Sequence, residues 1–337
     1  MIQDIRLKYT TDELFGFIDR FHDTSILVVG DIILDEYVWG NVSRISPEAP
    51  VPVVEIKEET KRLGGAANVV NNIISLGGKS CLCGIVGDDI SGRGLIETIS
   101  ELGVKTDGII VDASRHTSVK TRVVAHNQQV VRFDRETRQP ITPDKIERII
   151  ESIKKEMHDI NAIIVADYGK GVISSQLMKG LRSLIAGSNI ILAVDPKTDN
   201  FEYYKEIDVI TPNHHEAGAF CRFEIADEET LIRAGKQMLN ELNCEAVLIT
   251  QGKDGMTLFE AGSDPCHIPT IARKVFDVSG AGDTVIGALS LAIASGMDRQ
   301  SAAIISNYAA GIVVGEVGTS VVTADELKKE IGDRINT

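Results

Sequence analysis

Short runs of apolar, mostly β-branched residues recur along this chain, and each closes on a polar or turn residue. They are SILVVGD at 25–31, NAIIVADYG at 161–169, NIILAVDP at 189–196, DVITPN at 208–213 and EAVLITQG at 245–252. Helix-length amphipathic segments separate most of them, for example at 174–187 and 228–242. A strand that is apolar throughout is buried on both faces. Strands of that kind alternating with helices predict an α/β fold with a doubly wound, mostly parallel sheet. Such sheets bind ligands beyond the carboxyl ends of their strands. Asp31, Asp167, Asp195, Asn213 and Gln251 fall at that edge.

Two stretches break the alternation. Residues 36–56 (EYVWGNVSRISPEAPVPVVEI) and 117–136 (TSVKTRVVAHNQQVVRFDRE) read as extended, the second as a hairpin turning at His126-Asn127. Extended segments outside the strand–helix rhythm predict a small separate sheet, acting as a lid over the active edge, as an interface, or as both. The expected organisation is one domain over residues 1–337 carrying these lid strands.

Composition narrows the functional classes. With 43% hydrophobic and 25% charged residues, the chain suits a water-soluble protein with a full core. A net charge of −14 argues against a nucleic-acid surface, which needs a basic stripe. No apolar run approaches membrane-spanning length, and the first residues lack the order of a secretory signal. Five cysteines, odd in number and without a CxxC pair, predict free thiols in a reducing cytoplasm. A metal or redox role for Cys81 and Cys83 is the lesser alternative.

Two familiar nucleotide motifs fail. GGKS at 77–80 resembles the end of a P-loop, but Ile73 stands where the leading glycine belongs, so Gly77-Gly78 reads as the end of a helix. The first strand runs into GDIILDE rather than GxGxxG, and Val285 replaces the third glycine in SGAGDTV. Nicotinamide chemistry is therefore not expected.

Four clusters carry chemistry. In DVSGAGDTV (277–285) two glycines and an alanine precede Asp283 at the mouth of an apolar helix. Bare backbone at a helix start offers N–H groups to an anion, and a carboxylate there suits proton transfer. GGAAN (64–68) pairs glycines with an amide, either to approach a polar ligand or to pack a helix start. NHHE (213–216) sets an amide and a carboxylate three residues apart, which suits a water-rich magnesium site beside phosphates. TQGKDG (250–255) is either a backbone nest for phosphate or a plain hairpin turn.

Taken together, GG…N, NxxE, TxGxxG and D-V-S-G-A-G-D-T resemble the ribokinase/phosphofructokinase-B family of sugar kinases over roughly residues 24 to 327. GDIILDEYVWG, SRISPEAPVPVVEI, NQQVVRFDRE, ADYGKGV and TPNHHEA look more narrowly like its heptose-phosphate kinases, the kinase half of bifunctional kinase/adenylyltransferases. The resemblance implies a ribokinase-like fold and transfer of the ATP γ-phosphoryl group to the C1 hydroxyl of D-glycero-D-manno-heptose 7-phosphate, on the route to ADP-heptose for the lipopolysaccharide core. It implies Asp283 as the base and Gly280, Ala281 and Gly282 as the anion hole. Asn213 and Glu216 would organise Mg2+ through water. Thr250, Gly252 and Gly255 would form the nucleotide loop, with Asn307 bordering adenine and Lys197 either reaching an ATP phosphate or standing in solvent.

Asp31, Gly64, Gly65 and Asn68 match the sugar-binding positions, and Asp35 is a further candidate beside them. Arg44, Lys120, Arg122 and Lys170 are unranked candidates for gripping the sugar phosphate. Asp277 is the candidate ligand of a monovalent cation such as K+. A homodimer through the lid strands is expected. An HxGH-like nucleotidyl-transfer motif is missing from these 337 residues, so the expectation is a stand-alone kinase or an isolated kinase domain, without adenylyl transfer.

Overall fold

The computed structural model describes residues 3–4, 9–126, 128–272, 277–316 and 318–335. Its strands are β1 (Gln3–Asp4), β2 (Ser25–Ile45), β3 (Pro52–Gly65), β4 (Lys79–Gly87), β5 (Ile109–Asp112), β6 (Ser118–Ala125), β7 (Gln128–Arg135), β8 (Ala162–Ala166), β9 (Ile191–Asp195), β10 (Val209–Ile210), β11 (Ala246–Thr250), β12 (Met256–Glu260) and β13 (Cys266–Ile268). The α-helices are α1 (Thr11–Asp19), α2 (Ala66–Ser75), α3 (Ile90–Glu101), α4 (Pro143–Glu156), α5 (Ser175–Ile185), α6 (His214–Cys221), α7 (Glu228–Leu242), α8 (Ala281–Ala294), α9 (Arg299–Val313) and α10 (Ala324–Ile335).

The main sheet runs β1-β13-β12-β11-β10-β9-β8-β2-β4-β5. It is parallel except for β12, which runs against both β11 and β13. Side chains along each central strand feed two cores alternately. Ile26 and Val28 pack beneath α2, α8 and α9, while Leu27 and Val29 face α4, α5 and α7. Both faces are thus apolar, which is why these strands read as unbroken hydrophobic runs. The expected α/β class holds.

The run at 25–31 does not stop at Asp31. β2 leaves the main sheet there and continues to Ile45, pairing antiparallel with β3 and parallel with β6, which in turn pairs with β7. These strands, called the lid below, overlap the extended segments expected at 36–56 and 117–136, with β3 reaching on to Gly65. His126 takes a left-handed φ of 51° at the hairpin, and Asn127 lies outside the described residues. Gly77, at φ 91°, follows the end of α2 as its sequence suggests.

All five cysteines are buried as free thiols, and burial pushes the Cys81 and Cys83 thiols upward, away from the reactive thiolate form. Among the described residues no helix is long and apolar enough to cross a membrane.

Candidate active site

The carboxyl ends of β8, β9 and β11, the start of α8 and the inner face of the lid enclose a cavity of about 300 Å³. Asp283 stands at its floor. Gly280 caps α8 from a left-handed conformation, φ 80°, where a Cβ would come within 2.8 Å of the Asn68 amide nitrogen. Glycine is required on both counts. Asp283 follows in the first turn of α8, 6% exposed. Asn68 Nδ2 donates to Asp283 Oδ2 at 2.6 Å, and the Tyr168 hydroxyl donates to Oδ1. Burial raises the carboxyl to about 6, against the opposing pull of these two hydrogen bonds. A carboxylate poised near neutrality and facing a cleft suits proton transfer.

The first amides of a helix lack intrahelical acceptors. Here the Ala281 N–H is committed to Val278 O at 3.2 Å. Of the three residues expected to form the anion hole, Gly280 and Gly282 line the cavity and Ala281 is turned into the preceding loop.

Asp31 requires a correction. It is 1% exposed and lies behind the cavity, where its oxygens accept the N–H groups of Tyr168 and Lys170, both at 2.9 Å, and of Val172 at 3.2 Å. Burial, and then the charge of Asp167, raise it to about 6. Its carboxylate shapes the 168–172 loop and does not line the cavity. Asp35, four residues on, does line the cavity. Gly64 lets it approach, since a Cβ there would lie 2.4 Å from Asp35 Oδ2. Gly65 serves backbone packing at the start of α2, with a positive φ of 56° and the Asp31 carbonyl 2.4 Å from any added Cβ. Asn68 is fully buried, and its Oδ1 has no hydrogen-bond partner among the described residues.

The basic candidates separate clearly. Arg44 is exposed on the outer half of the lid, paired in register with Val53. Lys170 bonds Glu136 at 2.5 Å and does not line the cavity, which corrects its expected place against the substrate. Arg122 lines the cavity while bound to Asp35 at 2.5 Å. Lys120 lines it too.

At the other end stand Lys197, Asn213, Glu216 and Thr250. The NxxE pair proves to be a capping box at the start of α6. Asn213 Oδ1 accepts the N–H groups of His215 and Glu216, and Glu216 Oε2 accepts the Asn213 N–H at 3.0 Å. The Asn213 oxygen is thereby occupied, while Glu216 keeps a second oxygen. Burial raises Glu216. Burial also raises Asp195 beside it, and the charges of Asp283 and Glu216 add to that.

Among the described residues no three His, Cys, Asp or Glu side chains converge as a metal-ligand set. The donors present fit a hard divalent ion that is held mainly by phosphates and water.

Gly252 and Gly255 form a tight turn after Thr250, both at positive φ, and neither lines the cavity. Asn307 is also outside it, its Nδ2 donating to Pro269 O at 2.8 Å and tying down the chain after β13. Asp277 accepts the Ser279 and Gly318 amides at 2.8 and 3.0 Å, bonds that lower its carboxyl in spite of burial. Tyr168 is a site residue that the sequence marks only by its place just after the end of β8.

Residues 23–326 match the model of the pfkB family carbohydrate kinases. The chain belongs to the pfkB family. It is 45% identical over 325 residues to the bifunctional protein HldE of Desulfatibacillum aliphaticivorans, covering 96% of this chain and 66% of that relative. It is 44% identical over 306 residues to the bifunctional protein HldE of Geobacter sulfurreducens, covering 91% and 62%. The chain thus spans somewhat less than two thirds of these curated relatives.

Solved pfkB-like folds superpose on it. An Arabidopsis thaliana ribokinase complexed with ribose and ATP gives a TM-score of 0.73 at 20% identity, over 91% of this chain and 98% of that one. Phosphofructokinase-2 from Escherichia coli in complex with potassium gives 0.75 at 16%, over 92% and 98%.

Proposed function

We propose that this chain transfers the γ-phosphoryl group of ATP to the C1 hydroxyl of D-glycero-D-manno-heptose 7-phosphate, giving ADP and the 1,7-bisphosphate in the supply of ADP-heptose. The observation that carries the reading is the buried Asp283, raised to about 6 and held at both oxygens by Asn68 and Tyr168, at the floor of a cleft with cations at both ends. The acceptor hydroxyl attacks the γ-phosphorus, the bond to the β-bridging oxygen breaks, and Asp283 takes the hydroxyl proton. Gly280 and Gly282 bring backbone to the transferred group, and phosphoryl transfer asks mainly for such positioning and charge stabilisation.

Mg2+ bound on the ATP phosphates would neutralise charge there; Glu216 and Asp195 would hold its waters. Asp277 is the proposed side-chain ligand of a K+ ion. The heptose assignment is supported by the likeness to proteins named HldE and by the lid sequences.

The chain works as one kinase domain in the cytoplasm, as a dimer through its lid. Ile56, Val131 and Phe133 are 57%, 48% and 56% exposed, and register places them on the lid face opposite Lys120 and Arg122.

The test is ADP release with MgATP and a panel of acceptors: heptose 7-phosphate, fructose 6-phosphate, ribose, fructose and adenosine. Turnover confined to heptose 7-phosphate supports the assignment. Preference for another acceptor keeps the kinase and overturns the substrate. Sugar binding without turnover on any acceptor would instead favour a sugar sensor.

A further inference from the structure

The inner face of the lid is set by register. Asp35 and Tyr37 of β2 stand opposite Lys120 and Arg122 of β6, which stand opposite Asp134 and Arg132 of β7. Charges on this face are nearly all matched. Arg122 binds Asp35 at 2.5 Å and Arg132 binds Asp134 at 3.0 Å. Lys170, on the loop below, binds Glu136. Lys120 is different: among the described residues no carboxylate lies within ion-pair distance of it. Its ammonium instead sits 5.8 Å from the centre of the Tyr168 ring.

An ammonium in a cleft without a counter-charge is costly, and the cost disappears when an anion arrives. Burial holds the Lys120 ammonium below its ordinary range, and the positive charges of Lys170, Arg122 and Arg132 add to that effect, against the pull of Asp35. With Arg122, Arg132 and Lys170 each matched by a carboxylate, Lys120 leaves one uncompensated positive charge at this end of the cleft, in a chain of net charge −14. The nucleotide end, with Lys197, Glu216 and Thr250, belongs to other strands of the same cavity. Lys120 belongs to the lid strands and its charge also reaches Asp283, so an anion there is assigned to the acceptor that Asp283 deprotonates.

We infer that Lys120 receives the phosphate of a phosphorylated sugar acceptor, and that it determines the preference for sugar phosphates over free sugars. The inference rests on the sugar-kinase reading above but not on the heptose assignment. Arg122 and Lys170 are positioning residues here, the first fixing Asp35 and the second fixing the segment after β7.

The experiment compares wild type, Lys120→Met and Lys120→Arg. It uses heptose 7-phosphate and unphosphorylated heptose, reading turnover and, by isothermal titration, binding. Melting temperature reports folding. Lys120→Met should raise KM and Kd for heptose 7-phosphate roughly 10- to 100-fold, the usual scale for a lost charge-assisted hydrogen bond. KM for ATP and binding of the unphosphorylated sugar should stay within about twofold, and Lys120→Arg should restore most of the loss.

An unchanged Kd for the sugar phosphate would overturn the inference. So would equal losses with both sugars together with a raised KM for ATP, which would assign Lys120 to the γ-phosphate. If the wild type prefers another sugar phosphate, the heptose assignment fails and the same comparison is read with that compound. A wild type that binds only unphosphorylated sugars overturns the inference.

Discussion

Asn68 and Asp283 lie 215 positions apart and meet at 2.6 Å, Nδ2 to Oδ2, joining the start of α2 to the start of α8. One helix start carries the carboxylate; the other orients it. Next to this pair Asn72 Oδ1 accepts the Thr284 hydroxyl at 2.8 Å, so the two helices are linked at successive turns. The base is thus fixed by buried structure, while Tyr168 approaches it from the loop that Asp31 holds.

Replacing Asp283 with Asn removes the proton acceptor and leaves the shape. Turnover should fall roughly 10²–10⁴-fold, while the binding of sugar and nucleotide by titration persists. Loss of binding together with turnover would assign Asp283 a structural part instead.

The rate should carry an acid limb. A carboxyl raised to about 6 is protonated, and idle as a base, below that pH, so kcat/KM should rise through pH 6 and level off above it. The Tyr168 hydrogen bond opposes the rise. In Tyr168→Phe the limb should therefore move to higher pH, with activity recovering as the pH is raised. A pH profile of the two proteins checks this, and an unmoved limb would detach Tyr168 from the base.

Asp31 and Asp35 should separate stability from binding. Asp31→Ala leaves three backbone N–H groups without their acceptor and should cost on the order of 3 kcal/mol in denaturant unfolding. Asp35→Asn keeps an oxygen for the Arg122 guanidinium, so it should lower the unfolding midpoint less than Asp31→Ala does and weaken acceptor binding in titration. The opposite pattern would return Asp31 to the substrate.

Glu216 has two duties that substitution can divide. Glutamine still closes a capping box, so Glu216→Gln should melt near wild type yet raise KM for MgATP roughly tenfold. Glu216→Ala should lose the cap as well, costing about 1 kcal/mol in stability. Thermal melts and MgATP titrations read the two effects apart.

Phe133→Asp places a charge on the exposed outer face of the lid. Light scattering should show dimer becoming monomer if this face is the subunit contact, whereas an unchanged mass would move the interface elsewhere.

Much of this was legible in the chain because burial on both faces leaves a strong imprint. β2, β8, β9 and β11 stand out as apolar runs, and Gly280 and Gly282 mark the start of α8. β4 was harder to see, since KSCLCGIVG mixes lysine, glycine and cysteine into a strand that is buried from Cys81 onward. The choice between Asp31 and Asp35 was out of reach because it depends on where β2 changes sheets. NHHE carries a capping signature as well as the spacing of a magnesium pair, and in the structure the cap takes up the Asn213 oxygen. Tyr168, Lys120 and Arg122 acquire their parts from contacts across distant strands, which no local spacing encodes.

β2 couples two sheets through one uninterrupted backbone. Its pairing with β4 ends at Asp31, and its pairing with β6 begins at Ile33. Strand side chains alternate, so removing or adding one residue between these points would leave both ladders intact but turn the lid inside out. Asp35, Lys120 and Arg122 would still share one face, yet that face would turn outward and the face of Glu36 and Thr121 would meet the cleft. The distance from core to lid is a counting constraint as strict as any side chain in the cleft.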